Sequence, residues 1–457
     1  MGNINYPIVC SAALADAGKV LDEPRFILRG RELAHNALEY LTVNHIIFGE
    51  GKPQQHVTPK GCRAIDLGYN VEESLPGLVL YGVLTNDNEV LDIAAEAMKE
   101  HLEFMPPDGA WDNSWGTRNY KWTYWSSRTS DGCQIAYALM KDRSPIFEEA
   151  AFRNTLLLKE CTHEGILYGG PHHHIKGELP CIHHTFCHAK ALATVLDHNT
   201  SNTNLHGIIS LPREKSFGVR EYPEMKTWLA SIGQWRATVS AYDWEYIEEG
   251  HASGGDITML WHDKAGVVLC GSMTEYQVVE VEDMPIPKCI DQKCLTPCLE
   301  FQKDGVYCYR NINDFDTEVK YLQNKSELQF LIAGKLVDKN HKDPETGEIR
   351  FEMKYVFQHN YLEILVNIES SENTGNIVYH MPVISVHNEK VNRINNNSIA
   401  IDRKNCSLII ESNLTLDLPD NIYYGDRIFN LVPSFEAIPI SVNLAVGYIT
   451  KLKIKVV

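Results

Sequence analysis

Glu73-Ser-Leu-Pro-Gly-Leu-Val-Leu-Tyr-Gly-Val-Leu84, then Thr85-Asn-Asp-Asn88, then Glu89-Val-Leu-Asp-Ile-Ala-Ala-Glu-Ala-Met-Lys-Glu-His-Leu-Glu-Phe104 reads as two helices around a short polar turn. A break of this length joins antiparallel neighbours, and Pro106, Pro107 and Gly109 stop the second helix. Working outward, residues 25–48 place Phe26, Ile27, Leu33, Ala37, Leu38 and Leu41 at helical spacing. Residues 130–140, 145–161 and 183–196 continue the series, with Ser144 as N-cap and Pro145 at the first helical position. After about residue 210 the texture changes. Short β-branched or aromatic runs at 238–246, 256–261, 267–270, 278–281, 305–309, 327–332, 350–357, 361–368 and 376–383 alternate with glycine-bearing turns, and 443–457 ends in a strand-like run. The fold class expected is α+β: a helical domain over 1–205, then antiparallel β-sheets forming a β-sandwich over 206–457.

The chain has 457 residues, 44% of them hydrophobic, which is enough for a substantial core and excludes a disordered or low-complexity protein. No apolar run has the roughly 18 residues of a membrane span. Sixty acidic against 42 basic residues give a formal charge of −18, which disfavours nucleic acid as a partner and confines any polyanion to a local basic pocket. The 12 cysteines form no CxxC pair or regular framework, and the cluster Cys289, Cys294 and Cys298 fits no common zinc spacing. The apolar run at 10–14 lacks a basic leader, so no signal peptide is expected.

Seven of the 19 histidines fall between His163 and His188. Their core is Tyr168-Gly-Gly-Pro-His172-His173-His174, followed by His183, His184 and His188. Imidazole titrates near neutrality and serves as acid, base or ligand, and the Gly169-Gly170-Pro171 turn lets backbone approach a bound molecule. His184 and His188 lie one helical turn apart on a shared face. A second cluster, 111–128, holds four of the eight tryptophans with three cations: Trp111, Asn113, Trp115, Arg118, Asn119, Tyr120, Lys121, Trp122, Tyr124, Trp125 and Arg128. Aromatic faces stack on sugar rings while Arg and Lys hold carboxylates or sulfates, so an acidic sugar is the expected ligand; a buried loop core is the alternative. A third motif, Tyr242 to His262, carries His251 and Asp256 around Gly254-Gly255 just before a strand. This pair could ligate a divalent metal (zinc or calcium) or face a cleft; a plain β-turn is the alternative.

Helical hairpins followed by antiparallel sheets, with these motifs in this order over residues 60–275, resemble the heparinase II/III-like polysaccharide lyases and related alginate and glucuronate lyases. Asn113-Ser-Trp-Gly matches that family's asparagine loop, Glu164-Gly-Ile-Leu-Tyr168-Gly-Gly-Pro171-His-His173 its tyrosine stretch, and Gly250-His251-Ala-Ser-Gly-Gly-Asp256 its β-domain loop. The family's usual catalytic tyrosine falls at His173, and the second histidine of the β-loop motif has no counterpart. The resemblance implies an (α/α) toroid, incomplete here, and β-elimination at C4 of a uronic acid, with rhamnose–glucuronate lyases as one group in view. It implies that Asn113 and Arg118 neutralise the sugar carboxylate, that His173 or His184 takes the C5 proton, and that Tyr168, Tyr242 or His251 protonates O4. The tryptophans (Trp115, Trp122, Trp125) with Tyr120 and Tyr124 would stack on sugars. Lys121, Arg128, His172, His174 and His188 would line the subsites. No cofactor is required for this chemistry, and a structural divalent metal, zinc or calcium, is left open. A polymer substrate implies a periplasmic or secreted enzyme. A glycoside hydrolase using carboxylates such as Asp112, Asp131, Glu164 or Glu178 about 5–9.5 Å apart, or a non-catalytic carbohydrate-binding protein, are the competing readings.

Overall fold

The computed structural model describes residues 2–122, 124, 132–198, 209–282, 284, 286–289, 292–303, 305, 307–370 and 376–457. Trp125, Arg128 and Asp131 lie outside the described residues. The chain forms two compact units: residues up to Lys215 together with Val279–Ile286, and Ser216–Val278 together with Pro287–Val457.

The first unit is helical: α1 (Asn5–Val20), α2 (Pro24–Ala37), α3 (Leu75–Thr85), α4 (Asn88–His101), α5 (Gln134–Leu139), α6 (Pro145–Glu160) and α7 (Ile182–Asp197). The α3–α4 hairpin forms where the sequence places it. Asn86 takes a left-handed φ of 57° to end α3, and the Asp87 side chain accepts the Val90 N–H to cap α4. Helix α4 then buries Val90, Leu91, Ala94, Ala95, Ala97, Met98 and His101, the helical spacing of a single packed face. Helix α1 carries no conventional apolar stripe. It buries Ile8, Ser11, Ala12, Ala15 and Gly18, and close approach rather than bulk holds it: a Cβ on Gly30 of α2 would come 2.7 Å from the Ser11 carbonyl oxygen. The expected helix over 25–48 ends at Ala37, after which a turn and a bridge between Leu41 and Ile47 take over. The unit runs on to Lys215 because Arg213 and Glu214 are tied into it, Arg213 to Asp112 and Glu214 to Arg153.

The second unit is built from antiparallel sheets. Five strands over Gly218–Tyr222, Thr227–Ile232, Trp235–Ser240, Asp256–His262 and Gly266–Cys270 form one sheet in sequence order. An eight-stranded sheet runs from Glu318–Gln323 through Glu327–Lys335, Ile349–Gln358 and Tyr361–Ser370 to the C-terminal Thr450–Val456, then to Ser407–Ser412, Ser398–Asp402 and Lys390–Asn395. A further five-stranded sheet centres on Ile377–Ile384. Period-two burial sets the register: Leu362, Ile364, Val366 and Ile368 point into the core that all three sheets share. The expected strand at 278–281 is absent; the described residues of Val279–Ile286 are irregular chain that groups with the helical unit.

Candidate active site

A short segment that carries no obvious catalytic signature organises the polar residues of the helical unit. Asp66 caps the turn Leu67–Tyr69, accepting the N–H groups of Gly68 (3.0 Å) and Tyr69 (3.2 Å). The chain then widens into a π-turn over Asn70–Ser74 before α3 begins. Pro76 has no N–H to give the carbonyl of Glu72, so the regular ladder cannot pass this point unbroken. In consequence Asn70, Glu72 and Ser74 turn buried side chains into the unit.

The tryptophan-rich loop wraps this segment. Asn113 accepts the Leu67 N–H (3.2 Å) and donates to the Trp122 carbonyl (3.1 Å). The Trp122 indole lies against Gly68, where a Cβ would sit 1.0 Å from a ring carbon. Arg118 donates to Asp66 (3.0 Å) and Glu50 (2.6 Å) and covers the Tyr69 ring at 4.1 Å. Burial pushes the Glu50 carboxyl up to about 7 despite Arg118 beside it. Lys121 donates to the Tyr69 hydroxyl (3.2 Å) and pairs with Glu280 (2.6 Å), whose other oxygen accepts from the Tyr120 hydroxyl. Burial opposes the Lys121 charge, but Tyr69 and Glu280 outweigh it and raise its pKa.

This geometry corrects several expectations. Arg118 is already balanced by two buried carboxylates and Asn113 holds backbone at both ends of its amide, so neither presents a ready carboxylate-neutralising group. Trp115 is fully buried, tilted against Phe104 with ring centroids 5.2 Å apart and its Nε1 donating to the Asp112 carbonyl. Trp122 and Tyr124 are also buried, and the Tyr124 hydroxyl donates to Asp108. These rings are core, not sugar platforms: indole is large and apolar, and the loop's polar residues are buried only because each meets a partner. Asp112, the hydrolase candidate, is spent on Ser114 and Arg213.

The histidine-rich stretch reaches the same segment from the other side of the loop. Helix α7 carries His184 and His188 with ring centroids 4.5 Å apart, and the His188 Nε2 lies 3.7 Å from Glu72 Oε1. The His188 Nδ1 donates to the His184 carbonyl (3.0 Å), which leaves Nε2 as the nitrogen with a lone pair when the ring is neutral. His173 is the reverse. Its Nδ1 accepts the Gly169 N–H (2.9 Å), so its proton sits on Nε2, which faces the Leu179 backbone without a well-formed hydrogen bond. Burial holds His173 down to about 4, and burial with the neighbouring His188, His173 and His183 keeps His184 well below the usual range. His173 is therefore held neutral with Nε2–H as a hydrogen-bond donor, and its Nδ1 is already engaged by the Gly169 N–H. Tyr168 meets His173 and His174 edge-on at 5.3 and 4.9 Å, while His163 stacks on the exposed His174. His172 is partly exposed on the same turn.

Tyr242, His251 and Asp256 belong to the β unit. The His251 Nε2 donates to the Tyr242 carbonyl (3.1 Å), which engages its proton, and its ring lies beside Tyr242 and Phe315. Asp256 begins a strand and is wholly buried near Tyr355, with burial raising its pKa well above the carboxylate range. A protonated acid is a poor ligand, and the two residues join no convergent metal-ligating trio. The trio found among the described residues is His35, Asp87 and Glu89, where Asp87 already bonds His35, Tyr81 and the start of α4.

Two of the three sequence motifs, the tryptophan-rich loop and the histidine-rich stretch, thus meet a segment that sequence reasoning passed over. Glu50, Asp66, Tyr69, Glu72 and Glu280 were missed, although an Asp three residues before Tyr69 and paired glutamates in an apolar helix with Pro76 are visible signals.

Comparison with known proteins defines the class. The family "Ulvan lyase N-terminal domain" matches residues 1–214 and "Ulvan lyase C-terminal domain" residues 219–457. A broad-specificity ulvan lyase of Formosa agariphila is 38% identical over 445 residues, covering 96% of this chain and 69% of that protein. Among solved structures, the chondroitin AC lyase of Streptomyces coelicolor A3 matches with a TM-score of 0.42 at 11% identity, over 97% of this chain and 59% of that one. A galactose 1-epimerase of Lactobacillus acidophilus matches with a TM-score of 0.30 at 7% identity, over 50% of this chain and 94% of that one. The protein is a polysaccharide lyase, a carbon–oxygen lyase. It belongs to the ulvan lyase family.

Proposed function

We propose that this enzyme cleaves ulvan or a similar uronate-containing polysaccharide by β-elimination at C4 of the uronic acid. The observation that carries the reading is the pairing on one short segment: Tyr69 holds Lys121 and, one turn on, Glu72 faces His188. A cation for the sugar carboxylate and an imidazole base are what the reaction needs, since the C5 hydrogen becomes acidic only when that carboxylate is neutralised. Lys121 and Tyr120 hold the carboxylate. The His188 Nε2 takes the C5 proton, and Glu72 stabilises the imidazolium that results. The electron pair forms the C4–C5 double bond, and the departing O4 receives a proton from Tyr168, whose ring meets that of His173 edge-on.

In this reading the carboxylate is neutralised by protein groups, so no metal is required and a chelator leaves the rate unchanged. The leaving sugar is taken to be rhamnose on a glucuronate, and the helical unit to be an incomplete (α/α) toroid. A polymeric substrate places the enzyme outside the cytoplasm, in the periplasm or secreted. Incubation with ulvan tests the reading: an ultraviolet-absorbing unsaturated product is expected, and mass spectrometry identifies the sugar released. New reducing ends without that absorbance would mean hydrolysis and end the proposal.

A further inference from the structure

The Glu280 carboxylate is held as a bound ligand's would be. One oxygen accepts from the Tyr120 hydroxyl and the other pairs with Lys121 Nζ at 2.6 Å, across 160 residues of sequence in the case of Tyr120. The Lys121 side chain is 1% exposed, yet that of Glu280 is 28% exposed, so Glu280 is the partner of the pair that reaches solvent. The described residues of the segment carrying it, Val279–Ile286, form no helix or strand. It is pinned by the fully buried Met284, whose N–H bonds the Glu280 carbonyl at 3.0 Å and whose sulfur meets the Val279 N–H. Arg118 and Arg213 find their carboxylates on the helical body itself, at Glu50, Asp66 and Asp112; Lys121 takes its partner from this irregular strap.

Resting on the lyase reading above, we propose that Tyr120 and Lys121 form the subsite for the sugar carboxylate, and that Glu280 occupies it until a uronate displaces it. The strap is then an internal competitor. The fraction of molecules with Glu280 seated lowers the apparent affinity for substrate in proportion.

Calorimetric titration of the full chain with sodium glucuronate, wild type against Glu280→Gln, tests this. Glutamine keeps the shape and the Tyr120 contact but not the charge. The variant should bind glucuronate about fivefold or more tightly, show no such gain for glucose, and lose the gain when combined with Lys121→Met. Equal or weaker glucuronate binding by a folded Glu280→Gln would overturn the proposal. Hydrogen exchange on the wild-type protein decides the matter independently of the variant's folding. Saturating glucuronate should speed exchange at the Met284 amide, whereas unchanged or slower exchange would overturn the proposal. Absence of unsaturated product from ulvan would instead end the lyase reading and leave these binding results to judge the subsite alone.

Discussion

Glu72 Oε1 stands 3.7 Å from His188 Nε2, with both side chains all but sealed from solvent and the far ring nitrogen of His188 anchored to the His184 carbonyl. A carboxylate in that place stabilises a ring that has accepted a proton and fixes which nitrogen accepts it. Glu72→Gln should therefore lower kcat by about 10²-fold with a smaller change in KM, and steady-state kinetics on ulvan measure both. A fall in KM-dependent rate alone would assign Glu72 to binding.

Arg118 joins two carboxylates that have no water to fall back on. Arg118→Met should destabilise the helical unit by about 3–5 kcal/mol, because removing one partner strands buried charge. Urea unfolding followed by far-ultraviolet circular dichroism reads the loss. Adding Glu50→Gln to that variant should restore part of it.

The pH dependence of stability carries the signature of Glu50. Its folded pKa of about 7 lies above the ordinary 4.5, so the folded state binds the proton more tightly. Stability from this group is fully present below about 4.5 and is lost as pH rises through 7, a change on the order of 3 kcal/mol. His173, depressed to about 4, works in the opposite sense, its share being lost as pH falls below 6.5. The comparison must therefore be differential. Between pH 5 and 7.5 the wild type should lose stability relative to Glu50→Gln, and parallel curves would contradict the shift.

Gly68 has no room for a side chain, since the Trp122 indole fills the space a methyl group would take. Gly68→Ala should cost about 3 kcal/mol or prevent folding, at the upper end of overpacking effects. Trp115→Ala should likewise lower the melting temperature, through a cavity worth about 3–5 kcal/mol, while leaving KM on ulvan near the wild-type value. A large KM effect without loss of stability would return Trp115 to the sugar-binding surface.

The hairpin at residues 75–101 and the alternating strands from 327 to 370 were legible because each shows a clean period and an explicit stop. Helix α1 was not, because apart from Ile8 its buried face is built from small or polar residues such as Ala, Ser and Gly, which give a hydrophobic count little to detect. The histidine stretch stands out by its density, but the direction of its hydrogen bonds decides which ring nitrogen carries the proton, and spacing carries no such information. Aromatic density misled. Four tryptophans beside cations resemble a sugar platform, yet the described indoles are packing material around Gly68 and Phe104. Glu280 lay beyond sequence reasoning altogether, since nothing local links it to a lysine some 160 positions earlier.

The widened turn at Asn70–Ser74 behaves as a one-residue insertion in an otherwise ordinary helical path. Excising a single position there would shorten the path by one residue, and everything on one side of it would rotate by about 100° relative to the other. Tyr69 and Glu72 could then no longer serve their two clients together. A deletion that shortens the backbone there would yield a worse enzyme, and relatives that lack the extra position should have moved their acid to another element.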